Sequence, residues 1–259
     1  FTIEIVNSMF FGLALSALIP VYTFFILKQK LSVADAGAIA ASYGSVSAVT
    51  FVAAVSFLEM QKVGFGGHMV AVMALMESPA IIMGMVFIKR FENESPTGIS
   101  MKSVIRHSIT NGSVLLIFGS LVVGFIADAH QAEGIKPFTT DIFKGFLSIF
   151  LLEMGMVTAK RFSGFMKYGW FVSLFAVIIP LVNGCVAAWL SKFISPEIGN
   201  RFVFAILAAS ASYIAVPAAM RLAAPKAEPG LYIPMALGVT FPFNITLGMP
   251  VYFWIVNSF

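Results

Sequence analysis

Eight apolar segments of about twenty residues or more constrain this 259-residue chain more than any other feature. They cover residues 4–27, 34–58, 67–90, 103–126, 140–159, 168–191, 201–221 and 231–257. A run of about 20 apolar residues is long enough to cross a bilayer as a helix. Only 11% of the residues are charged, against about 25% in soluble domains. The sequence therefore predicts an all-α integral membrane protein that contacts lipid, and argues against a soluble enzyme.

The distribution of basic residues predicts the orientation of these helices. When each loop is numbered by the helix it follows, the odd-numbered loops contain 11 of the 16 Lys and Arg residues. Because cytoplasmic loops carry an excess of Lys and Arg, the odd loops are predicted to be cytoplasmic and both chain ends to lie outside. We expect the plasma (bacterial inner) membrane, and no nucleic-acid partner for the net charge of +4.

Two of the segments are interrupted by small and hydroxyl-bearing residues. One interruption is Ser42–Thr50 in the second helix, and the other is Ala208–Pro217 in the seventh helix. Pro217 is expected to break the helix because proline lacks an amide donor. Each segment is followed by a polar loop and then by a helix with a central proline, Pro79 or Pro242. Interrupted helices at matching places of an inverted repeat are typical of secondary transporters.

The repeat predicts how the chain is divided. Residues 103–259 would form a complete repeat of five helices, and residues 1–90 the last three helices of the other repeat. Residues 91–102 would be a cytoplasmic linker. We therefore expect a ten-helix inverted-repeat transporter, with two further helices before Phe1.

The ends of broken helices suit ions of both signs. Helix N-termini present unpaired amides and a partial positive charge, which favours an anion. Carbonyl ends and hydroxyls favour sodium, and hydroxyls are supplied by Ser45, Ser47, Thr50, Ser210 and Ser212. The alternative is that these small residues only let helices pack closely.

Glu77 is a further candidate, because a carboxylate inside a membrane helix is costly and usually faces a polar cavity. It would hold a cation or a proton, or else cap a half-helix near an interface. Asn244 is its proposed counterpart in the eighth helix, and Glu153 is a candidate either for function or for a helix–helix hydrogen bond. Asn111 and Asn183 are interpreted as packing residues.

Signals for enzymes and metal sites are weak. His68, His107 and His130 lack the spacing of zinc ligands. Asp35, Asp128 and Asp141 lie at predicted helix ends and indicate no aspartyl pair. The sequence contains no HExxH or GxSxG motif, and its single cysteine, Cys185, excludes an internal disulfide.

Four stretches of the sequence resemble the family of sodium-dependent bicarbonate permeases (SbtA-like). They are Gly44–Glu59, Met76–Ala80, Leu147–Met156 and Ala208–Arg221. The resemblance implies ten helices in two inverted repeats of five, with core and gate domains. It also implies bicarbonate uptake coupled to sodium, a homotrimer, and in some members a PII-like cytoplasmic regulator.

The resemblance also implies site residues. The anion would be bound where the two interrupted helices cross, by Ser45, Val46, Ser47, Tyr213, Ile214 and Ala215. Sodium would be bound close by, at Ser42, Thr50, Ser210, Ser212, Glu77 and Asn244. No organic cofactor is expected.

The chain departs from the pattern of this family at several of these positions. Tyr213 stands in place of an acidic residue, and Glu77 in place of an aspartate. Ala48 and Val216 replace glycines, and Ala215 replaces a serine. The linker is also shorter.

These observations together predict a sodium-coupled symporter that imports bicarbonate. The alternatives are a symporter of another small organic anion on the same fold, and a membrane protein that senses an anion without transporting it.

Overall fold

A computed structural model describes residues 2–92 and 112–259, and in these ranges the chain is helical without strands. Residues 93–111 lie outside the described residues. They include all but the first two residues of the predicted linker 91–102, the start of the fourth predicted helix, His107 and Asn111. The helices are α1 Ile3–Leu27, α2 Val33–Gly44, α3 Ala48–Met60, α4 His68–Phe91, α5 Gly112–Ile126, α6 Ala129–Lys136, α7 Phe143–Met166, α8 Trp170–Leu190, α9 Ile198–Ala209, α10 Ala215–Ala223 and α11 Pro229–Ser258.

Helices α1, α2 and α4 pack against one another through small residues. Thr2 and Ser32 cap the N-termini of α1 and α2 by accepting hydrogen bonds from backbone amides. A Cβ on Gly84 would lie 2.7 Å from the carbonyl oxygen of Gly37, so glycine at this position is what lets α4 approach α2. Close approach through small residues is the usual packing of helices in membranes.

Helices α8, α9 and α11 form a second packed group. α11 is not a regular α-helix, because Pro234–Thr240 and Asn244–Gly248 have π-helical hydrogen bonding. Such π-bulges change the direction in which side chains point and are frequent at functional sites. Here the second π segment contains Asn244, whose side chain reaches the end of α9.

Both predicted interruptions are present, and both are shorter than the small-residue stretches that predicted them. The first is Ser45–Ser47 between α2 and α3, and the second is Ser210–Ile214 between α9 and α10. The expected role of Pro217 was wrong. It lies in the first turn of α10, where a missing amide costs little because that amide has no partner inside the helix.

The two interruptions contact each other directly. The Ser212 amide donates to the Ser42 carbonyl at 2.8 Å, and the Ser42 hydroxyl donates to the Ser212 carbonyl at 2.5 Å. The Ser47 amide also donates to the Ser210 hydroxyl at 3.2 Å. The carbonyls of Ser42 and Ser212 and the amides of Ser47 and Ser212 are therefore satisfied by the partner segment.

Within residues 2–92 and 112–259, five helices are long and apolar enough to cross a membrane. They are Ile3–Leu27, Val33–Met60, His68–Phe91, Trp170–Phe193 and Pro229–Ser258. Large apolar side chains such as Phe10, Leu18 and Trp254 are exposed on their outer faces, as expected for residues that contact lipid. The chain is a multi-pass membrane protein, and the counts of eight and ten helices stay predictions.

The mutual hydrogen bonds of the two interruptions predict the effect of Ser42→Ala. The variant leaves the buried Ser212 carbonyl without its hydroxyl donor, which should cost about 1–3 kcal/mol of stability. The measurement is the thermal unfolding midpoint of the purified protein in detergent.

Ser8→Ala is the matched control, because Ser8 is also fully buried but its hydroxyl has no hydrogen-bond partner among the described residues. Its midpoint should stay the same or rise. Equal decreases of the midpoint in both variants would contradict a stabilising role for the hydrogen bond from Ser42 to Ser212.

Candidate functional site

Four helix ends meet where the two interruptions cross. α2 and α9 end there with their carbonyl groups, and α3 and α10 begin there with their amides. The local reason is the run of small residues, which tolerates an extended backbone and close contact between the two segments. The arrangement places two positive and two negative helix ends in one region of the membrane protein.

The α3 N-terminus retains two amides for a ligand. Ser47 is the N-cap, and its hydroxyl accepts from the Thr50 amide at 3.1 Å. The first amides of a helix have no partner inside the helix, so those of Ala48 and Val49 remain as donors.

The α10 N-terminus offers fewer donors. The Ser212 hydroxyl accepts from the Val216 amide at 3.3 Å, and Pro217 has no amide. The N-cap residue Ile214 makes no side-chain cap. This leaves the Ala215 amide as a donor in the first turn of α10, compared with two amides at the α3 N-terminus. The two helix ends are therefore not equivalent as anion sites.

A cavity of about 240 Å³ lies at this crossing. Five of the six predicted substrate residues line it, namely Val46, Ser47, Tyr213, Ile214 and Ala215. The sixth, Ser45, is fully buried outside the lining, and its hydroxyl has no partner among the described residues. Ala48, Glu77, Leu116 and Ser212 complete the lining.

Glu77 is the acidic side chain in this lining. It is 4% exposed, and its Oε2 has no hydrogen-bond partner among the described residues. A buried carboxylate without partners is costly, and it would also repel an anion in the same cavity. A bound cation removes both penalties.

Tyr213 contributes the second unsatisfied polar group. The residue is 4% exposed. Its hydroxyl lies beside the Ser47 side chain but makes no hydrogen bond of good geometry to any residue that the structure describes. A phenol can donate to an anion, so Tyr213 adds a donor to the cavity without adding charge.

Three of the six residues predicted for sodium, namely Ser42, Ser210 and Ser212, form hydrogen bonds between the two interruptions. Ser42 bonds to Ser212, and Ser210 donates to the Leu207 carbonyl at 2.8 Å. Thr50 is buried behind the Ser47 cap. Of the predicted sodium residues, Glu77 and Ser212 line the cavity.

Asn244 is also occupied by protein contacts. Its Nδ2 donates to the Ala209 carbonyl at 2.7 Å, and its Oδ1 accepts from the Tyr252 hydroxyl at 3.1 Å. Ala209 is the last residue of α9, so Asn244 caps the carbonyl end of this half-helix.

The other candidates lie away from the cavity. Glu153 is exposed on α7, and His130 is exposed on α6. Asn183 accepts from the Tyr22 hydroxyl, which agrees with its interpretation as a packing residue. No group of three or more potential metal ligands of the His, Cys, Asp and Glu type occurs within residues 2–92 and 112–259.

Sequence reasoning did not identify Leu116 or Ala48 as lining residues. Leu116 is an ordinary apolar residue of α5, and no local pattern distinguishes it from its neighbours. Ala48 lies inside the predicted interruption Ser42–Thr50 and is the first residue of α3, so its place in that stretch is the signal that was available.

Two crossed, interrupted helices with opposed ends at a shared cavity are typical of a membrane transporter of small ions. The comparison with protein families agrees with this class. The family model described as the Na⁺-dependent bicarbonate transporter superfamily matches residues 1–257, and the chain belongs to this superfamily. A search of curated proteins gives no match.

Family membership confirms the resemblance inferred from the sequence. It makes the chain a transport protein and suggests that it is not an enzyme. It also implies sodium as the coupling ion and a small anion as the substrate.

The contacts of Asn244 predict that Asn244→Ala is destabilising. The variant leaves the buried Ala209 carbonyl without its side-chain donor, whereas the Tyr252 hydroxyl keeps the Pro180 carbonyl as an acceptor, so we expect a loss of about 1–3 kcal/mol from the Ala209 carbonyl. The thermal unfolding midpoint measures this loss.

Asn257→Ala is the control, because the Asn257 Nδ2 donates to the Phe253 carbonyl over the same 2.7 Å distance at an exposed position. It should change the midpoint little. An Asn244→Ala protein of normal stability whose uptake needs more sodium would instead support Asn244 as a sodium ligand.

Proposed function

We propose that this protein is a sodium-coupled symporter that imports bicarbonate across the plasma membrane, with the cavity at the crossing as its substrate site. The observation that carries the proposal is the position of Glu77. This unpartnered carboxylate lines the same cavity as the N-termini of two half-helices. Such a cavity attracts an anion only after a cation has neutralised the carboxylate.

The order of binding follows from these charges. Sodium binds first, next to Glu77 and the Ser212 side chain, and removes the repulsion. Bicarbonate then accepts hydrogen bonds from the amides of Ala48, Val49 and Ala215 and from the hydroxyl of Tyr213. Neither ion is bound well alone, and this mutual dependence is the coupling.

Access to the two sides would alternate by movement of a core domain against a gate domain. This step belongs to the proposed architecture of two inverted five-helix repeats, with residues 1–90 and 103–259 in separate repeats and the chain ends outside. A homotrimer and a PII-like cytoplasmic regulator are further proposals that rest on the resemblance to bicarbonate permeases.

The alternative from another class is an anion sensor that binds without transport. Accumulation distinguishes the two, because a sensor binds sodium and bicarbonate but does not concentrate them. The test is uptake of radiolabelled bicarbonate into proteoliposomes at mildly alkaline pH, with and without an inward sodium gradient. Accumulation that requires the gradient supports the symporter, and saturable binding without accumulation supports the sensor.

Glu77→Gln tests the coupling. The amide keeps the size of the side chain but removes its charge, so sodium should bind more weakly and sodium-stimulated uptake should fall about tenfold or more. The measurement is the initial rate of bicarbonate uptake as a function of sodium concentration.

Glu133→Gln is the matched control, since Glu133 is an exposed residue of α6 and its charge lies outside the cavity. Its sodium dependence should equal that of the unchanged protein. A normal sodium response in Glu77→Gln would remove Glu77 from the coupling site.

Ser47→Trp tests the position of the substrate. The indole would fill the cavity between the α3 N-terminus and Tyr213, so uptake should drop to the background of empty liposomes. Val186→Trp places the same side chain on the exposed face of α8 and should transport normally. Normal uptake by a folded Ser47→Trp protein would show that the anion binds elsewhere.

A further inference from the structure

The lining of the cavity at the crossing includes apolar side chains as well as polar groups. Ile214 is 44% exposed although its neighbours Tyr213 and Ala215 are buried. Leu116, at 73% exposed, and the side chain of Val46 also line the cavity. These three side chains offer aliphatic surface and no hydrogen-bonding group.

The cavity, at about 240 Å³, is large enough for an anion with a short alkyl chain. Bicarbonate has four non-hydrogen atoms and no apolar part. A site that combines hydrogen-bond donors with aliphatic surface suits a ligand with a charged end and an apolar end.

We infer that the same cavity binds short-chain monocarboxylates of the propionate and butyrate type. The carboxylate takes the place of bicarbonate at the amides of Ala48, Val49 and Ala215, and the alkyl chain lies against Ile214, Val46 and Leu116. The inference rests on the proposed function only in placing the anion in this cavity. It does not require that bicarbonate is transported.

The inference has independent support from unsatisfied side chains. Tyr213 and Glu77 are both buried, line the cavity and have hydrogen-bonding atoms without partners among the described residues. With sodium bound beside Glu77, the carboxylate of the ligand has a counter-ion as well as donors. The helix ends are therefore not the only features that indicate a ligand.

The same geometry excludes dicarboxylates. A second carboxylate at the far end of the ligand would lie against the aliphatic wall without donors or a cation, and burying such a charge is costly. Succinate, whose carbon chain has the same length as that of butyrate, should therefore not bind.

The test is the thermal unfolding midpoint of the purified protein in sodium buffer with formate, acetate, propionate, butyrate or succinate, at equal concentration and ionic strength. Ligands that bind the folded state raise the midpoint. We expect affinity to rise roughly fourfold for each added methylene, the equivalent of about 0.8 kcal/mol per buried CH₂. Succinate should give no rise.

Ile214→Ala removes most of the wall next to the donors. The ratio of butyrate affinity to formate affinity should fall several-fold in this variant, and this ratio is insensitive to any general loss of stability. Ile178→Ala is the matched control, because Ile178 is 42% exposed on α8 and does not line the cavity. Its ratio should equal that of the unchanged protein.

The outcomes separate this inference from the proposed function. A midpoint that does not respond to chain length, or that responds equally in Ile214→Ala, overturns the inference even if sodium-dependent bicarbonate uptake is present. A midpoint that rises with chain length, and rises less in Ile214→Ala, supports the inference even if bicarbonate is not taken up. The lack of bicarbonate uptake would reject bicarbonate as the substrate but not the inference.

Discussion

The structure depends on how a membrane protein satisfies backbone groups that leave the helical pattern. Hydrocarbon offers no water to unpaired amides and carbonyls, so a helix broken in the membrane needs partners from within the protein. Here each interruption supplies partners to the other, through the pair of hydrogen bonds between Ser42 and Ser212 and the contact from Ser47 to Ser210. One broken helix alone would be unstable, which explains why the two occur together.

This constraint also decides which groups are available to ligands. The hydroxyls of Ser42 and Ser210 form hydrogen bonds between the two interruptions, and Asn244 caps the end of α9. In the proposed mechanism, a small set of amides and the Tyr213 hydroxyl bind the anion, and Glu77 with the side chain of Ser212 binds the cation. We propose that a site built from so few groups has little affinity for either ion alone, which would be the physical basis for coupling them.

The sequence predicted the two interruptions, but not which of their residues hold the segments together and which line the cavity. The two interruptions were recognisable because runs of small and hydroxyl-bearing residues inside apolar segments are local features. The bracing contacts were not, because Ser42 and Ser210 are separated from their partners by 170 and 163 residues. Pro217 illustrates the same limit, since proline breaks a helix in its interior but is tolerated in the first turn.

Tyr213 connects the electrostatics of the cavity with its choice of anion. In the bicarbonate permeases that the sequence resembles, an acidic residue occupies this position, and a second negative charge beside Glu77 would demand more neutralising cation before any anion could bind. The phenol of Tyr213 offers a hydrogen-bond donor at this position without the negative charge of an acidic residue. The adjacent Ile214 then presents aliphatic surface where a more polar wall would favour bicarbonate alone, so the two neighbouring residues shift the cavity in the same direction, toward monovalent anions that carry an apolar group.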